Sequence, residues 1–326
     1  MIRDTWNVKG GVKLLRRWAW QCFRDTYHVP RTTYHATPVK KSVNLKFKDM
    51  DGEKKLFFLG EDECGMNSVI AGGEENSCDG MDSFVAAGSH NELPGNMGFV
   101  SGESNTVSGS HSASFGYIND VLGNFSHASG TGHVITDDAA TAEGDGNIVS
   151  AYAAHAEGGL HICEGSYSHA EGLAARSYLD TQHAKASGGF SNPGEVGEAQ
   201  YTNVIVRLSA EEGYPHPLLL GEEGRIILMD RKMNAFRIMI VAANADLSEG
   251  AAWELKGLIR KGDEAGSVVL VGDVGKVVIA RSNGDWDVDV VADEANGALK
   301  ILAYSSSSQM IRWVGFVEMV EVAFYS

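Results

Sequence analysis

Histidines and glutamates recur at fixed places along the middle of the chain. His127, His155 and His169 each stand three residues before a glycine, and Glu143, Glu157 and Glu171 each stand one residue before a glycine. Carboxylates stacked at strand spacing repel one another, and a neighbouring imidazole relieves that repulsion by hydrogen bonding or by taking a proton. Turned toward a symmetry axis, such columns could ring a metal ion or an anion. The simpler reading is a solvated ladder that keeps the chain soluble and its edges protected, so no metal site and no cofactor are expected. Glycan hydrolysis would need two carboxylates about 5 to 9.5 Å apart across a groove. Asp and Glu are abundant, but no GxSxG, HExxH, P-loop or paired Cys/His motif occurs, and Asp137-Asp138 and Glu222-Glu223 read as exposed loops. No catalytic residue is assigned, and the chain is expected not to be an enzyme.

The columns are set by glycine. Gly88, Gly102, Gly116, Gly130, Gly144, Gly158 and Gly172 follow one another at intervals of 14 residues. Gly72 and Gly188 lie 16 residues beyond the two ends, which reads as two extra residues at each. A fixed period marks a repeat architecture. Two residues before the glycines come Ala86, Val100, Ser114, Ala128, Ala142, Ala156 and Ala170, all small. Five after come Leu93, Val107, Val121, Ile135, Val149 and Cys163, and three after come Asn91, Asn105, Asn119, His133 and Asn147. Strand side chains alternate faces, so the small column points inward while the His and Glu columns point out. The Asn column reads as a ladder that satisfies turn backbone. Each unit is two short strands, one coil per repeat, and eight or nine coils make a parallel β-roll roughly 40 Å long at about 4.8 Å per coil. A core of Ala, Ser and Val is thin. One roll buries too little to offset the entropy of ordering it, which points to association of identical copies.

Charge divides the chain. The formal net charge is −16, yet residues 1–55 hold 13 Lys+Arg against 5 Asp+Glu, and the remainder holds 14 against 38. An acidic body does not suit nucleic acid. Residues 12–23 (VKLLRRWAWQCF) have the spacing of a short amphipathic helix, with Arg16 and Arg17 opposite the apolar face. That face, with Trp6, Trp18 and Trp20, needs a partner, and docking of residues 1–55 on another protein is expected. Residues 43–60 carry a hairpin pattern. Cys22, Cys64, Cys78 and Cys163 match neither a CxxC site nor a disulfide framework and read as reduced thiols. No signal peptide fits the start of the sequence and no stretch reaches ~20 apolar residues, so no membrane insertion is expected.

The units NSVIAG (residues 67–72), AAHAEG (153–158) and YSHAEG (167–172) resemble the head repeats of trimeric autotransporter adhesins. They are also similar to the SHAEG-repeat fibre proteins of bacteriophages and prophages. The resemblance covers residues 67–190 and implies a left-handed parallel β-roll assembled as a homotrimer. Absence of the autotransporter's leader and anchor favours the phage fibre, made in the host bacterial cytoplasm and placed on the virion surface. An adhesin fragment, a head fibre or capsid decoration protein, and a glycan-degrading tailspike are the alternatives.

Past Ser191-Asn192-Pro193-Gly194 the sequence changes character. Strand-like runs fall at 202–209, 225–229, 235–242, 253–260, 267–271, 276–280, 286–292, 298–304 and 311–324, as in a β-sandwich or jelly roll. The last run is apolar on both faces, as in a central strand or a subunit contact. AAWELKGLIRKG, DEANGALKI and IRWVGFVEMVEV resemble a C-terminal domain of phage tail-fibre proteins. The expected organisation is an attachment segment (1–60), a roll (61–194) and a tip (195–326). Loops on a rigid scaffold commonly carry contacts. Tyr214, His216, Asn244, Asp246, Asn283, Asp285, Trp286 and Gln309 are therefore the candidate contacts to a host glycan or protein.

Overall fold

A computed structural model describes residues 65–324, apart from 191, 193, 212–214, 222, 223, 265 and 307. Trp6, Arg16, Arg17, Trp18, Trp20, Cys22, Cys64, the 12–23 helix, the 43–60 hairpin and Tyr214 lie outside the described residues. The described residues all belong to one compact unit, Val39–Ser326. Every regular element among them is a strand.

From Val69–Ile70 to His183–Ser187 the chain winds as a parallel β-solenoid of about eight turns. One parallel sheet carries the longer strand of each coil, and a second carries the two-residue strands from Thr106–Val107 to Arg176–Ser177. Glycine sets the spacing between coils. At Gly130 φ is +127°, and a Cβ there would lie 2.0 Å from the carbonyl oxygen of Gly144. Only glycine meets both demands. Each full coil spends two further residues in the left-handed region, among them Phe125 and Tyr167. That conformation costs roughly 1–2 kcal/mol per residue. It is held by cross-coil bonds, such as Phe125 N–H to Ser110 O at 3.0 Å and Tyr167 N–H to Tyr152 O at 2.9 Å.

The inward column follows the expected alternation. Val100, Ser114, Ala128, Ala142, Ala156 and Ala170 are fully buried against Val107, Val121, Ile135, Val149 and Cys163. Both ends depart from the reading of two added residues. Val69, Phe84 and Phe99 pair in register at 15-residue spacing, and a bulge between Val85 and Gly88 absorbs the extra residue. Gly73, not Gly72, therefore precedes Gly88 in the turn column, and Val85, not Ala86, points inward. At the other end the 14-residue register persists, with Ala186 opposite Gly172, so His183 and Lys185 extend the outer columns. Cys78 and Cys163 are fully buried.

The Asn column forms a continuous inner ladder. Asn105 donates from Nδ2 to Asn91 Oδ1 at 3.0 Å and to Gly116 O at 2.9 Å, and Asn119 repeats the pattern. Two histidines substitute within it. His161 Nδ1 accepts the Ala175 N–H at 3.0 Å, so its proton sits on Nε2, which donates to Glu157 O at 3.0 Å. A second proton on Nδ1 would face a donor. Burial, opposed by those backbone bonds, holds His161 below its ordinary pKa of 6.5.

The solenoid's edge is not left open. His183–Ser187 pairs antiparallel with Ala199–Ala210, and the sheet continues through Ile311–Ala323, Lys232–Asn244 and Gly250–Lys261. Pairing covers an edge that would otherwise template aggregation. Ile311–Ala323 is the expected central strand. Every strand-like run of the C-terminal sequence contains a strand, and His216–Pro217 adds one more. Asp287–Asp293 and Ala298–Tyr304 belong to a four-stranded sheet that shares a core built on Trp253, Trp286 and Trp313.

A buried network ties the last coil to the antiparallel strands that extend its sheet. Lys232 Nζ donates to Glu321 Oε2 at 2.6 Å, both side chains being fully buried, and lies 5.3 Å from the Tyr178 ring centroid. Gln200 donates to Glu321 at 3.3 Å and exchanges bonds with the Arg176 backbone.

Two outcomes follow. Lys232→Met leaves the Glu321 charge buried without a counter-charge and should cost about 3–5 kcal/mol in chemical denaturation, with much of the loss recovered in Lys232→Met/Glu321→Leu. A lowered histidine pKa means that the unfolded chain binds the proton first, so His161 stabilises fully above 6.5 and loses that contribution as the pH falls below it. Asp120 works oppositely: burial and Glu92 push its carboxyl from 3.8 up to about 6, so it favours the folded state less as the pH rises through that range. Thermal melts compared between wild type and His161→Asn should isolate the imidazole, with the variant losing less stability on acidification.

Candidate functional site

Short polar side chains that bond their own backbone shape the loops at one end of the C-terminal region. Asp246 Oδ1 accepts from Ser248 N–H at 3.1 Å and from its hydroxyl at 2.6 Å. Asn283 Oδ1 accepts the Asp285 N–H at 2.9 Å. Bonds between loops then join them. Asn244 Nδ2 donates to Gln309 Oε1 at 3.3 Å, Asn283 Nδ2 to Glu249 Oε2 at 3.0 Å, and Ser306 Oγ to Asp285 Oδ2 at 2.9 Å. The 244–249, 283–286 and 305–309 loops, distant in sequence, thus form one braced surface.

His216 lies on the strand that pairs with Ala298–Tyr304, opposite Ala303. With Tyr304, Ser305 and Trp313 it lines a shallow depression holding about 10 Å³ of free volume, room for one water. The surface is acidic. The Ser248 hydroxyl and N–H bind the charged form of Asp246 and hold its carboxyl below the usual range. Asp285 and Glu249 add further carboxylates. Such a surface offers many acceptors and side-chain amides to hydroxyl-rich ligands, and repels polyanions.

Two expected contacts take other roles. Trp286 is fully buried, its ring centroid 5.9 Å from that of Trp313, because the Asp287–Asp293 strand that follows turns it into the core. Asn244 is 4% exposed and holds the Glu249 N–H at 3.0 Å, so it positions the loop from beneath. Glu249 and Ser306 were not singled out from the sequence. Both lie beside candidates in the same loops, but their partners are 34 and 21 residues away.

No known protein family and no curated protein matches the chain. Among solved structures it is similar to the tailspike protein of Acinetobacter baumannii bacteriophage Fri1, a capsular polysaccharide depolymerase, with 8% identity and a TM-score of 0.25 over 74% of this chain and 57% of that one. It is also similar to the tailspike protein of Acinetobacter phage vB_ApiP_P1, with 11% identity and a TM-score of 0.19 over 81% and 54%. The chain thus spans little more than half the length of either. The expectation of a non-enzymatic chain is corrected by this finding, since the first of these proteins is an enzyme, and lack of activity is not carried forward. At such TM-scores neither that activity nor its substrate transfers to this chain.

Trp286→Ala should cost about 3–5 kcal/mol in thermal or chemical denaturation. Asp246→Ala, at an exposed loop position, should stay within about 0.5 kcal/mol of wild type.

Proposed function

We propose that the chain is a fibre protein of a bacteriophage particle. It acts as a homotrimer in which a left-handed β-roll is the stalk, residues 1–60 attach to another virion protein, and residues 195–326 form a β-sandwich tip that binds a host-surface glycan or protein. The observation that carries this reading is an apolar strip on the outward face of the antiparallel sheet. Ile205, Phe316 and Met239 lie in register across three strands, with Val314 and Val241 in the adjoining row and Val320 beyond the Arg237–Glu318 ion pair. Ile205 is 58% exposed and Val320 63%. Gly275–Arg281 is exposed throughout and carries Val277, Val278 and Ile279. Exposed apolar side chains clustered in this way mark a contact between proteins. Sister copies of the same chain are its natural cover, because the strip continues the face of a roll that itself has a thin core.

The braced loop surface, with Asp246, Asn283, Asp285 and Gln309 at its rim, is the recognising end. His216 lines the depression that reaches Ser305 at its edge. Its acceptors and amides suit a neutral, hydroxyl-rich glycan.

Light scattering of the purified protein should give three times 34.9 kDa. Phe316→Arg should lower the mass, and a monomeric wild type would sink the fibre reading. The labelled trimer applied to an array of bacterial capsular and lipopolysaccharide glycans should bind, and Asn283→Ala and Gln309→Ala should weaken that binding. Particles that carry the protein while the array stays blank would make it a decoration rather than an adsorption fibre.

A further inference from the structure

One column on the outer face of the solenoid carries a chemistry that packing does not require. The His155 and His169 rings lie 4.7 Å apart and within 4° of parallel, and His169 and His183 repeat this at 4.8 Å and 4°. Earlier coils fill the same column with Phe84 and Phe99, whose rings lie 5.5 Å apart. The sheet therefore accepts a plain aromatic ring at this position, and the imidazole nitrogens are additional to what stacking needs.

Those nitrogens are placed unlike the histidines of the inner ladder, whose two ring nitrogens both meet backbone groups. Nε2 of His155 and Nε2 of His169 are shielded from solvent and have no hydrogen-bond partner among the described residues. A buried polar atom without a partner is costly and calls for an explanation. Beside them stands the Glu157 carboxylate, and the ligand atoms of His155, Glu157 and His169 all lie within 4.8 Å of one another. The next coil differs. Glu171 is taken by Lys185 at 2.9 Å and approaches His183 Nε2 at 3.6 Å, so a cation of the chain already answers that carboxylate. Glu157 has no such ion pair among the described residues.

We propose that His155, Glu157 and His169 bind a divalent transition-metal ion of the zinc type. Two imidazole nitrogens and one carboxylate oxygen are a common three-ligand set for Zn²⁺, leaving a fourth position for water. At bond lengths of about 2.0–2.2 Å, tetrahedral ligand atoms stand about 3.3 Å apart. Side-chain rotation on the outer face can close that gap, because the backbone already holds the three residues on two adjacent coils in register (His155↔His169, Glu157↔Glu171). Ca²⁺ and Mg²⁺, which take oxygen ligands, fit poorly. The bound ion would clip coil to coil on the outer face, as the Asn ladder does on the inner one.

The test uses the full chain, stripped with a chelator. Calorimetric titration with Zn²⁺ should show one ion per chain, and Co²⁺ should give the visible absorption of a nitrogen- and oxygen-ligated tetrahedral site. His155→Phe and His169→Phe keep an aromatic ring that this column already accommodates and should abolish binding. Circular dichroism melts check that both variants fold, and Glu157→Gln, a near-isosteric change, serves as a second probe and should weaken binding at least about 10-fold. His127→Phe, two coils away, should bind Zn²⁺ as wild type does. A wild-type chain that takes up no Zn²⁺, or uptake unchanged in folded His155→Phe and His169→Phe, would overturn the assignment.

Discussion

The close approach of one coil's turn to the next is the constraint on which the rest of the structure depends. From Gly73 to Gly172 the carbonyl oxygen of the following coil sits 1.7–2.2 Å from where each turn glycine's Cβ would be. That contact leaves no room for a side chain and no freedom in the length of the coil. A coil with one more residue must bulge, as happens between Val85 and Gly88. A coil whose turn residue is alanine, Ala186, comes where parallel stacking ends and an antiparallel strand takes over.

Strict register turns a repeat into columns, and each column is then free to specialise. Inside, an amide or imidazole on every coil accepts from one neighbour and donates to another, so buried turn backbone is satisfied without water. His133 and His161 enter that ladder because an imidazole, like an amide, can present one donor and one acceptor. Outside, the same stacking brings like groups together whether or not they attract, which is why the aromatic, imidazole and carboxylate columns are where the solenoid's chemistry lies. The core between them stays narrow, since each coil encloses little more than one small residue, one aliphatic or thiol side chain and one amide or imidazole.

Beyond the last coil the sheet does not stop but changes sense, and a fully buried Lys232–Glu321 pair sits at the change. A buried ion pair contributes little net stability compared with apolar packing, but it punishes any arrangement that separates its members. It thus fixes how the roll meets the antiparallel strands. Those strands present a packed, Trp-rich face inward and exposed apolar side chains outward.

Much of this was legible in one dimension. The 14-residue glycine period and the alternation of small and polar residues determined the coil and the inward column, because parallel stacking repeats the same local rules at each turn, while apolar runs between turn residues marked nearly every C-terminal strand. The sequence by itself could not determine the register at the ends, where counting from Gly72 and Gly188 misplaced Val85 and hid His183. Register there depends on which backbone atoms meet across coils, not on which residue type recurs. Nor could it separate Trp286, which packs in the core, from the loop residues beside it, or show that Asn283 reaches Glu249. Side-chain direction at the end of a strand is decided by the sheet it joins, and contacts between loops by how distant strands are brought side by side. Only the tertiary structure holds that information.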